Sequence, residues 1–330
     1  MESWSIGIRN PITPTRQHSK SKQNMSISRS LLAGGPAYVN FNGANIPLGE
    51  DSRLEIAPVN SVISAALYGD IDEVYTDLIV KGTGTPLTYD NLAALWPYLQ
   101  PVIGGRIFGN ADTPLQWVSN NGDVITVRAG AVTKMPDLIL GVEKPGIGPV
   151  EFSGVVGNGL DPSASHSYYT IATGQAFSAP AVAASNIPRQ KYTAAWGSVA
   201  GFTSFQAQDA WTITHELKLA PVKIQGRTVD MKITSYRAMA KCMPAEPTMA
   251  NIDAALLAQG AAAGHGAKLS STAADLVITG AQTVSVTVKN AALKTAGFVF
   301  GGKALRNGEI GFVSTINVST GTAMPALVLA

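Results

Sequence analysis

The residue types that most often carry out catalysis or bind metals are few and scattered in this chain. The four histidines are His18, His166, His215 and His265. None of them stands about three to five residues from another His, a Cys or a paired carboxylate, the spacing that zinc sites usually require. Each is therefore predicted to be a surface or loop residue. Cys242 is the single cysteine, which excludes an intrachain disulfide.

One glycine-rich stretch, residues 260–268, superficially resembles a phosphate-binding loop. Such a loop places a Gly directly before its Lys, because backbone N–H groups must approach the phosphate closely. Here Ala267 precedes Lys268, and His265 follows Gly260 by five residues. The sequence therefore predicts no phosphate site in this stretch.

The densest acidic group consists of Asp70, Asp72, Glu73 and Asp77. Carboxylate oxygens of this kind ligate hard cations such as Ca²⁺. However, the group lacks the ligand spacing of an EF-hand loop, and strand alternation sends Asp72 and Glu73 to opposite faces. A solvated or subunit-facing charged strand is therefore favoured over a metal site.

The composition is typical of a β protein that associates with copies of itself. Charged residues make up 14% of the 330 residues, well below the usual proportion of about a quarter. The 45% hydrophobic content is ample for two domain cores, and 33 Gly with 19 Pro indicate many turns. No nucleophile, base or metal group can be assembled from these residues, so neither an enzyme nor a cofactor is predicted.

Net charge and hydropathy argue against two further classes of protein. A formal net charge of +2 gives no reason to expect wholesale nucleic-acid binding through counterion release. No apolar run reaches about eighteen residues, so no transmembrane helix is predicted. The N-terminus lacks the apolar core of a secretory signal.

Short blocks of the first half recur in the second half in the same order. The matched pairs are residues 54–60 with 217–223, 93–95 with 254–256, 125–128 with 286–289, and 148–152 with 308–312. The offset in numbering is 163 for the first pair, 161 for the next two and 160 for the last. A period of about 161 residues has the length of a domain and predicts a tandem domain duplication. Two unrelated β domains are the alternative.

Turn and strand signals within the first half predict a hairpin fold. Residues 37–41 form a strand that ends at Asn42-Gly43, the dipeptide best suited to a tight turn with positive φ. Residues 53–59 and 72–81 also have strand patterns. The stretch 61–71 between them is predicted to be the loop of a long hairpin.

The predicted helices are short, one in each half, at the same relative place. The first spans residues 92–96 and stops at Pro97, and the second spans residues 252–259 and ends at Gly260. The domain boundaries follow from these patterns: a first domain at 35–156, a crossing segment rich in Gly, Ser, Ala and Pro at 157–192, and a second domain at 193–330.

Residues 1–34 differ from the rest because basic residues stand there among Ser, Gln, Asn and Pro, with Glu2 as the only acidic residue. We expect a basic, flexible arm, either a solvated tail or a segment that binds a neighbouring subunit. Met25 begins a stretch typical of a translation start, so residues 1–24 are either part of the protein or an upstream extension.

Several ordered motifs in residues 36–156 resemble the tail tube protein of bacteriophages with long, non-contractile tails. They are the run 95–104, which contains Trp96-Pro97-Tyr98, with 107–109, the run 131–140, the hairpin segment 68–73 and the closing strand 150–155. The second half departs from this pattern, because residues 257–259 are Leu, Ala and Gln there. The assignment of that half depends on the internal repeat.

The resemblance implies two tandem β-sandwich or barrel-like tail tube domains, each with one short helix and a long β-hairpin. In that family, hairpins of successive subunits join edge to edge around a lumen, and one-domain subunits commonly form hexameric rings. A two-domain chain is then expected to form a homotrimer, a pseudo-hexameric ring that stacks head to tail into a tube. The subunit contacts would lie on the first hairpin, at Tyr68, Asp70, Asp72, Glu73, Val74, Tyr75 and Asp77, with a counterpart at residues 225–236.

The same resemblance implies where the protein works and what it meets. It would be a structural virion protein of the phage tail, assembled in the cytoplasm of the host bacterium. Its expected partners are copies of itself and the tail tape measure, tail tip and terminator proteins, and genomic DNA would pass through the lumen during ejection. The alternative is another virion assembly protein, either a tail terminator or a capsid decoration protein.

Overall fold

The computed structural model describes the chain from residue 35 onward, with gaps. The described residues are 35–88, 92, 95, 104–109, 112–143, 146–161, 164–181, 190–197, 202, 204–245, 269, 273–281, 284–295, 298–301, 304–315 and 327–329. Residues 1–34, the second predicted helix and the stretch 260–268 lie outside this set. The described residues all belong to the unit Gly34–Ala330.

Antiparallel strands dominate the described residues. Those of the first half are β1 (Pro36–Phe41), β2 (Ala44–Pro47), β3 (Arg53–Ala65), β4 (Gly69–Gly84), β5 (Leu115–Ser119), β6 (Val124–Val127), β7 (Ala129–Lys134), β8 (Leu138–Gly141), β9 (Gly146–Ile147), β10 (Val150–Val155) and β11 (Tyr169–Ala172). Those of the second half are β12 (Tyr192–Trp196), β13 (Phe205–Gln206), β14 (Ala210–Ile224), β15 (Arg227–Cys242), β16 (Ala274–Gly280), β17 (Ser285–Thr295), β18 (Phe298–Gly301), β19 (Ala304–Asn307), β20 (Ile310–Ser314) and β21 (Leu327–Leu329). A 3-10 helix spans Ser165–Ser167. The prediction of a mainly β fold is therefore confirmed.

The strands form four sheets. A five-stranded sheet has the order β11-β6-β5-β1-β2, and a four-stranded sheet has the order β3-β4-β10-β7. A ten-stranded sheet runs β13-β12-β16-β17-β20-β15-β14-β8-β9, with β21 paired to β17, and β18 pairs with β19 alone. None of the sheets formed by the described residues closes into a barrel.

The core of the first half lies between its two sheets. Phe41 of β1 and Trp117 of β5 both pack edge-on against Phe152 of β10, at ring centroid distances of 6.0 and 5.8 Å. Trp117 also lies directly over Gly82 of β4, where a Cβ would come within 2.0 Å of its ring. The large aromatic side chain of one sheet therefore fills the space that the glycine of the other leaves open.

An equivalent aromatic cluster forms the core of the second half. Trp196 of β12 packs edge-on against Phe312 of β20 at 5.2 Å, as Phe41 does against Phe152. Trp211 and Phe202 extend the cluster, and both are buried. The buried residues of the two halves belong to one contiguous hydrophobic cluster.

Strand pairing recurs between the halves with matching register. The series β1-β5-β6-β11 of the first half corresponds to β12-β16-β17-β21 of the second, and β4-β10-β7 corresponds to β15-β20 and the end of β17. For example, Trp117 pairs with Ile125, and Ile278 pairs with Val286. Ile278 lies 161 positions after Trp117, and Val286 lies 161 positions after Ile125. The recurrence concerns strand pairing; the division into two domains stays a prediction.

Two local predictions can be compared with these strands. The turn at Asn42-Gly43 is confirmed, since φ is 50° at Asn42 and 80° at Gly43, and β1 pairs with β2 around it. The predicted loop at residues 61–71 is wrong, because β3 and β4 pair as far as Ala65 and Gly69 and leave only residues 66–68 as the turn.

Two further predictions fall partly outside the described residues. Of the first predicted helix the structure describes Leu92 and Leu95, which are both fully buried, so the helix as a whole stays a prediction. The crossing segment 157–192 contains β11, which adds to the five-stranded sheet of the first half. Tyr168, just before β11, is buried.

Candidate assembly surface on the long hairpins

The first hairpin, β3 with β4, projects beyond the core and exposes apolar side chains. Burial falls off along β4 from Val80, which is 3% exposed, to Val74, which is 46% exposed. The exposed large apolar residues are Val62, Ile63, Leu67, Tyr68, Ile71, Val74, Tyr75 and Ile79. Such a concentration of apolar side chains on one projecting element is typical of an interaction surface.

The predicted contact residues of this hairpin lie close together along β4 and its turn. Tyr68, Asp70, Asp72, Glu73, Val74 and Tyr75 are all exposed, and Asp77 is half-buried. Asp70 and Glu73 have hydrogen-bond partners within the hairpin: Ser64 Oγ donates to Asp70 Oδ1 at 2.6 Å, and Asn60 Nδ2 donates to Glu73 Oε2 at 3.1 Å. Within the described part of the chain no group of three or more His, Cys, Asp or Glu side chains could hold a metal ion.

The second hairpin, β14 with β15, matches the first in its register. Arg53 pairs with Thr83, and Thr212 pairs with Lys241, so residues of β3 correspond to residues 159 positions later and those of β4 to residues 158 positions later. The pairing of β3 shifts after Val59 and after Ile63, and that of β14 shifts after the corresponding residues, 218 and 222. The two register shifts therefore occur at equivalent positions in the two hairpins.

This register corrects one block of the sequence repeat. The strand pairing makes Leu54 equivalent to Ile213, an offset of 159, whereas the sequence block matches it to Leu217, an offset of 163. The last block agrees with the pairing: Val150 and Ile310 occupy equivalent places in β10 and β20, at an offset of 160. The block 125–128 with 286–289 also agrees, at an offset of 161, whereas the block 93–95 with 254–256 lies outside the described residues except for Leu95.

The base of the second hairpin is covered by β8, a strand of the first half. The four residues Leu138–Gly141 pair with the outer edge of β14, where Ile139 stands opposite Thr212 and Leu138 opposite Ile213. This strand does not join the four-stranded sheet of its own half. The first half therefore completes an edge of the second half through backbone pairing.

A second segment of the first half, residues 104–109, lies along the middle of β15. Gly104 N–H donates to the Ile233 carbonyl at 2.8 Å, Ile233 N–H donates to the Gly105 carbonyl at 2.9 Å, and Ile107 N–H donates to the Met231 carbonyl at 2.9 Å. We call residues 104–109 the strap. It satisfies the backbone of β15 where β20 no longer reaches.

The strap also brings a charged pair together. The Arg106 guanidinium donates to the carboxylate of Asp230, and Phe108 N–H donates to the same carboxylate at 3.1 Å. Asp230 is fully buried, while the side chain of Arg106 is half exposed. A buried carboxylate needs such partners, because removal from water is costly when its charge is not met by donors.

Equivalent positions on the two hairpins differ sharply in exposure. Asp230, fully buried under the strap, corresponds to Asp72, which is exposed. Ile233 is 6% exposed, and its equivalent Tyr75 is 38% exposed. Among the described residues nothing covers the first hairpin as β8 and the strap cover the second.

Two of the predicted contact residues, Asp77 and Tyr75, contact the second hairpin within the chain. The carboxylate of Asp77 accepts hydrogen bonds from Thr228 N–H and from the Tyr168 hydroxyl, both at 3.1 Å. Burial, and next the nearby carboxylate of Asp77, raise the pKa of Tyr168. Arg227 lies over the ring of Tyr75, with its guanidinium carbon 6.0 Å from the centroid. The acceptor role of Asp77 is therefore internal to the chain.

The two histidines that the structure describes, His166 and His215, lie on different elements. His215 lies within β14, where its Nδ1 stands 2.9 Å from the Tyr236 hydroxyl, and burial lowers the pKa of His215 to about 4. The prediction of a surface or loop position is therefore wrong for His215, because this stretch continues a paired strand. His166 is exposed on the 3-10 helix. His18 and His265 lie outside the described residues.

The single cysteine is a packed core residue. Cys242 ends β15 and is buried, and burial raises the pKa of its thiol. A reactive cysteine needs the opposite shift, because the thiolate is the nucleophile.

No known protein family matches the chain, and a search of curated proteins gives no match either. No helix among the described residues has the length and apolar character needed to cross a membrane. The geometry of the hairpins therefore carries the functional argument.

Sequence reasoning missed the strap and β8 as contact elements. Arg106 stands alone in a Gly-rich stretch, and nothing in its local sequence indicates that it reaches a carboxylate 124 residues away. β8 overlaps the run 131–140 noted in the sequence, but that run does not indicate its partner strand. Applying the repeat offset to β8 would have drawn attention to Phe298–Gly301, its equivalent in the second half.

Proposed function

We propose that the chain is a structural virion protein that assembles into stacked trimeric rings and forms the hollow tail tube of a bacteriophage. The observation that carries this proposal is that two equivalent hairpins differ in how far other elements of the chain cover them. The second hairpin is covered by elements of the first half, while the first hairpin exposes the same positions. Within one chain, the first half covers the second hairpin. If the second half of a neighbouring copy packs in the same way against the first hairpin, that hairpin is covered as well.

A contact of this kind is heterologous, because it joins two different surfaces. Heterologous contacts produce rings when the rotation between copies closes and filaments when it does not. Three chains with two repeats each would give six equivalent positions, which agrees with the hexameric rings that the resemblance implies. The apolar surface of the first hairpin would then be buried between neighbours.

The wider role follows from the same proposal. DNA would pass through the lumen during ejection without tight binding, in keeping with a net charge of only +2. The tape measure, tail tip and terminator proteins would meet the tube at its interior and its ends. The protein would be assembled in the cytoplasm of the host bacterium and function in the virion tail.

Negative-stain electron microscopy of the purified protein, across a concentration series, tests the proposal. We expect hollow rings with a six-fold appearance at low concentration and stacked tubes at high concentration. The mass of one ring in solution should equal three chains of 34.3 kDa each. Compact monomers at every concentration, or single rings that never stack, would contradict a tail tube and would instead agree with a decoration or terminator protein.

A further inference from the structure

β8 and β9 leave the sheets of their own half and extend a sheet of the other half. β8 pairs with β9 through Leu138 with Ile147 and Ile139 with Gly146, and its other edge pairs with β14. The order across this region is therefore β9-β8-β14-β15. The hairpin of β8 and β9 acts as a connector that one repeat contributes to the next.

The second half contains the same connector. β18 pairs with β19 through Phe298 with Asn307 and Val299 with Arg306. Each of these residues lies 160 positions after its equivalent in β8 or β9, the offset that also relates β10 to β20. The two connectors therefore share their register and their place in the repeat.

The second connector has no hairpin to extend within the described part of its own chain. β18 and β19 form a separate two-stranded sheet. At the other end of the repeat, β3 is the terminal strand of its sheet, although its equivalent β14 is paired on both sides. Among the strands that the structure describes, the outer edges of β3 and β18 thus lack the partner strands that their equivalents, β14 and β8, have.

We infer that β18 of one copy pairs antiparallel with the outer edge of β3 of the next copy, in the register that joins β8 to β14. This inference rests on the proposed self-assembly and specifies its contact. Offsets of 160 and 159 place Val299 opposite Arg53 of the neighbour and Phe298 opposite its Leu54. The internal contact has two more pairs, Leu140 with Trp211 and Gly141 with Ala210. By the same offsets they correspond to residues 300 and 301 opposite Ser52 and Asp51 of the neighbour, which precede β3.

The occupant is a second copy of this chain because the internal contact already shows the two surfaces that fit. Backbone hydrogen bonds supply much of the affinity when a strand is added to a sheet edge, so the contact depends little on which side chains each repeat carries. The pairing would cover the start of the outer edge of β3, where an open strand edge is prone to uncontrolled association, just as β8 covers the start of β14. One such contact for each copy joins the chains head to tail.

Engineered disulfides test both the contact and its register. Residues directly opposite in an antiparallel pair have Cα atoms about 4.5–5.5 Å apart, within the range of a disulfide. We expect the double variant Arg53→Cys with Val299→Cys to form intermolecular disulfides on mild oxidation under assembling conditions. The matched control is Ala57→Cys with Val299→Cys, because four residues along a strand move the cysteine by about 13 Å, beyond disulfide reach.

The pattern of products identifies a head-to-tail contact. The double variant should give covalent dimers and trimers on a non-reducing gel, and a closed ring makes the trimer the largest species. An equimolar mixture of the two single variants, Arg53→Cys and Val299→Cys, should stop at dimers, because each chain has one engineered thiol. The native Cys242 is buried and present in every variant, so each single variant alone measures its contribution.

Two failures can be told apart by microscopy on the same samples. Tubes without cross-linking of the double variant, or with equal cross-linking of the Ala57 control, would overturn the proposed pairing while the tube remains. Wild-type protein that forms no assembly at any concentration would overturn the proposed function itself. The reduced double variant must assemble as the wild type does, which shows that the substitutions leave the contact intact.

Discussion

Removing the carboxylate of Asp230 should destabilise the folded chain far more than removing its equivalent, Asp72. Asp230 is fully buried and accepts hydrogen bonds from the Arg106 guanidinium, from Phe108 N–H at 3.1 Å and from Met231 N–H at 2.7 Å. The carboxylate of Asp72 accepts Glu73 N–H at 2.8 Å, and the residue is exposed. The two aspartates thus differ in burial and in the strap, although both accept the N–H of the following residue.

The magnitude follows from what Asp230→Ala leaves behind. Breaking a buried ion pair costs about 3–5 kcal/mol when the remaining charge stays buried. Here the side chain of Arg106 is half exposed and regains water, so we expect the low end, about 3 kcal/mol. Asp72→Ala should stay within about 0.5 kcal/mol in the monomer, as is usual for surface substitutions.

Urea unfolding at a concentration below assembly measures both free energies of unfolding. Hydrogen exchange then locates the effect: the amides of Gly104 and Ile107, which bond to β15, should lose protection in Asp230→Ala. The amides between β15 and β20 should keep theirs. Equal destabilisation by the two substitutions in the monomer, or unchanged protection of the strap, would refute the argument that the strap depends on Asp230.

Three further changes test other parts of the structure. Val74→Pro, in the exposed part of β4, should abolish rings and tubes in electron microscopy while the circular dichroism of the monomer stays close to wild type; intact tubes would count against the hairpin contact. Burial lowers the pKa of His215 to about 4, so its neutral form favours the folded state above pH 6.5, and this stability declines as the pH falls towards 4. Between neutral pH and pH 5 the free energy of unfolding should fall by about 2 kcal/mol from this cause, and His215→Gln should lack this decrease. Identical dependence of stability on pH in the wild type and the variant would contradict the prediction. Gly82→Ala should cost about 3 kcal/mol in urea unfolding, because its Cβ would meet Trp117 at 2.0 Å, whereas Gly146→Ala, with 3.7 Å to its nearest neighbour, serves as the control and should cost far less.

Local signals in the sequence are sufficient where a turn or a buried face determines the structure. Asn42 and Gly43 both adopt positive φ, as the turn chemistry requires. The stretch 61–71 has no strand pattern because that pattern depends on one face being buried, and the tip of this hairpin is exposed on both faces. Its strands are held by their own cross-strand pairing, which leaves little trace in hydropathy.

The wrong offset at the start of the hairpin has a related cause. Residues 54–60 and 217–223 both alternate, and a shift of four residues preserves which side chains share a face. Sequence similarity can therefore favour the offset of 163 although the strand pairing has 159. The positions of the two register shifts distinguish these offsets, because each occurs at one place only in the strand.

The contact elements are harder to predict because they join residues that are distant along the chain. The pairing of β8 with β14 bridges the long stretch from Gly141 to Ala210, which includes the segment expected to link two domains. Such pairing depends on which edge remains open after each hairpin has formed, and not on the sequence of either strand alone. The described strands leave one open edge of each kind, and the proposed contact between chains would repeat a pairing that is already present within one chain.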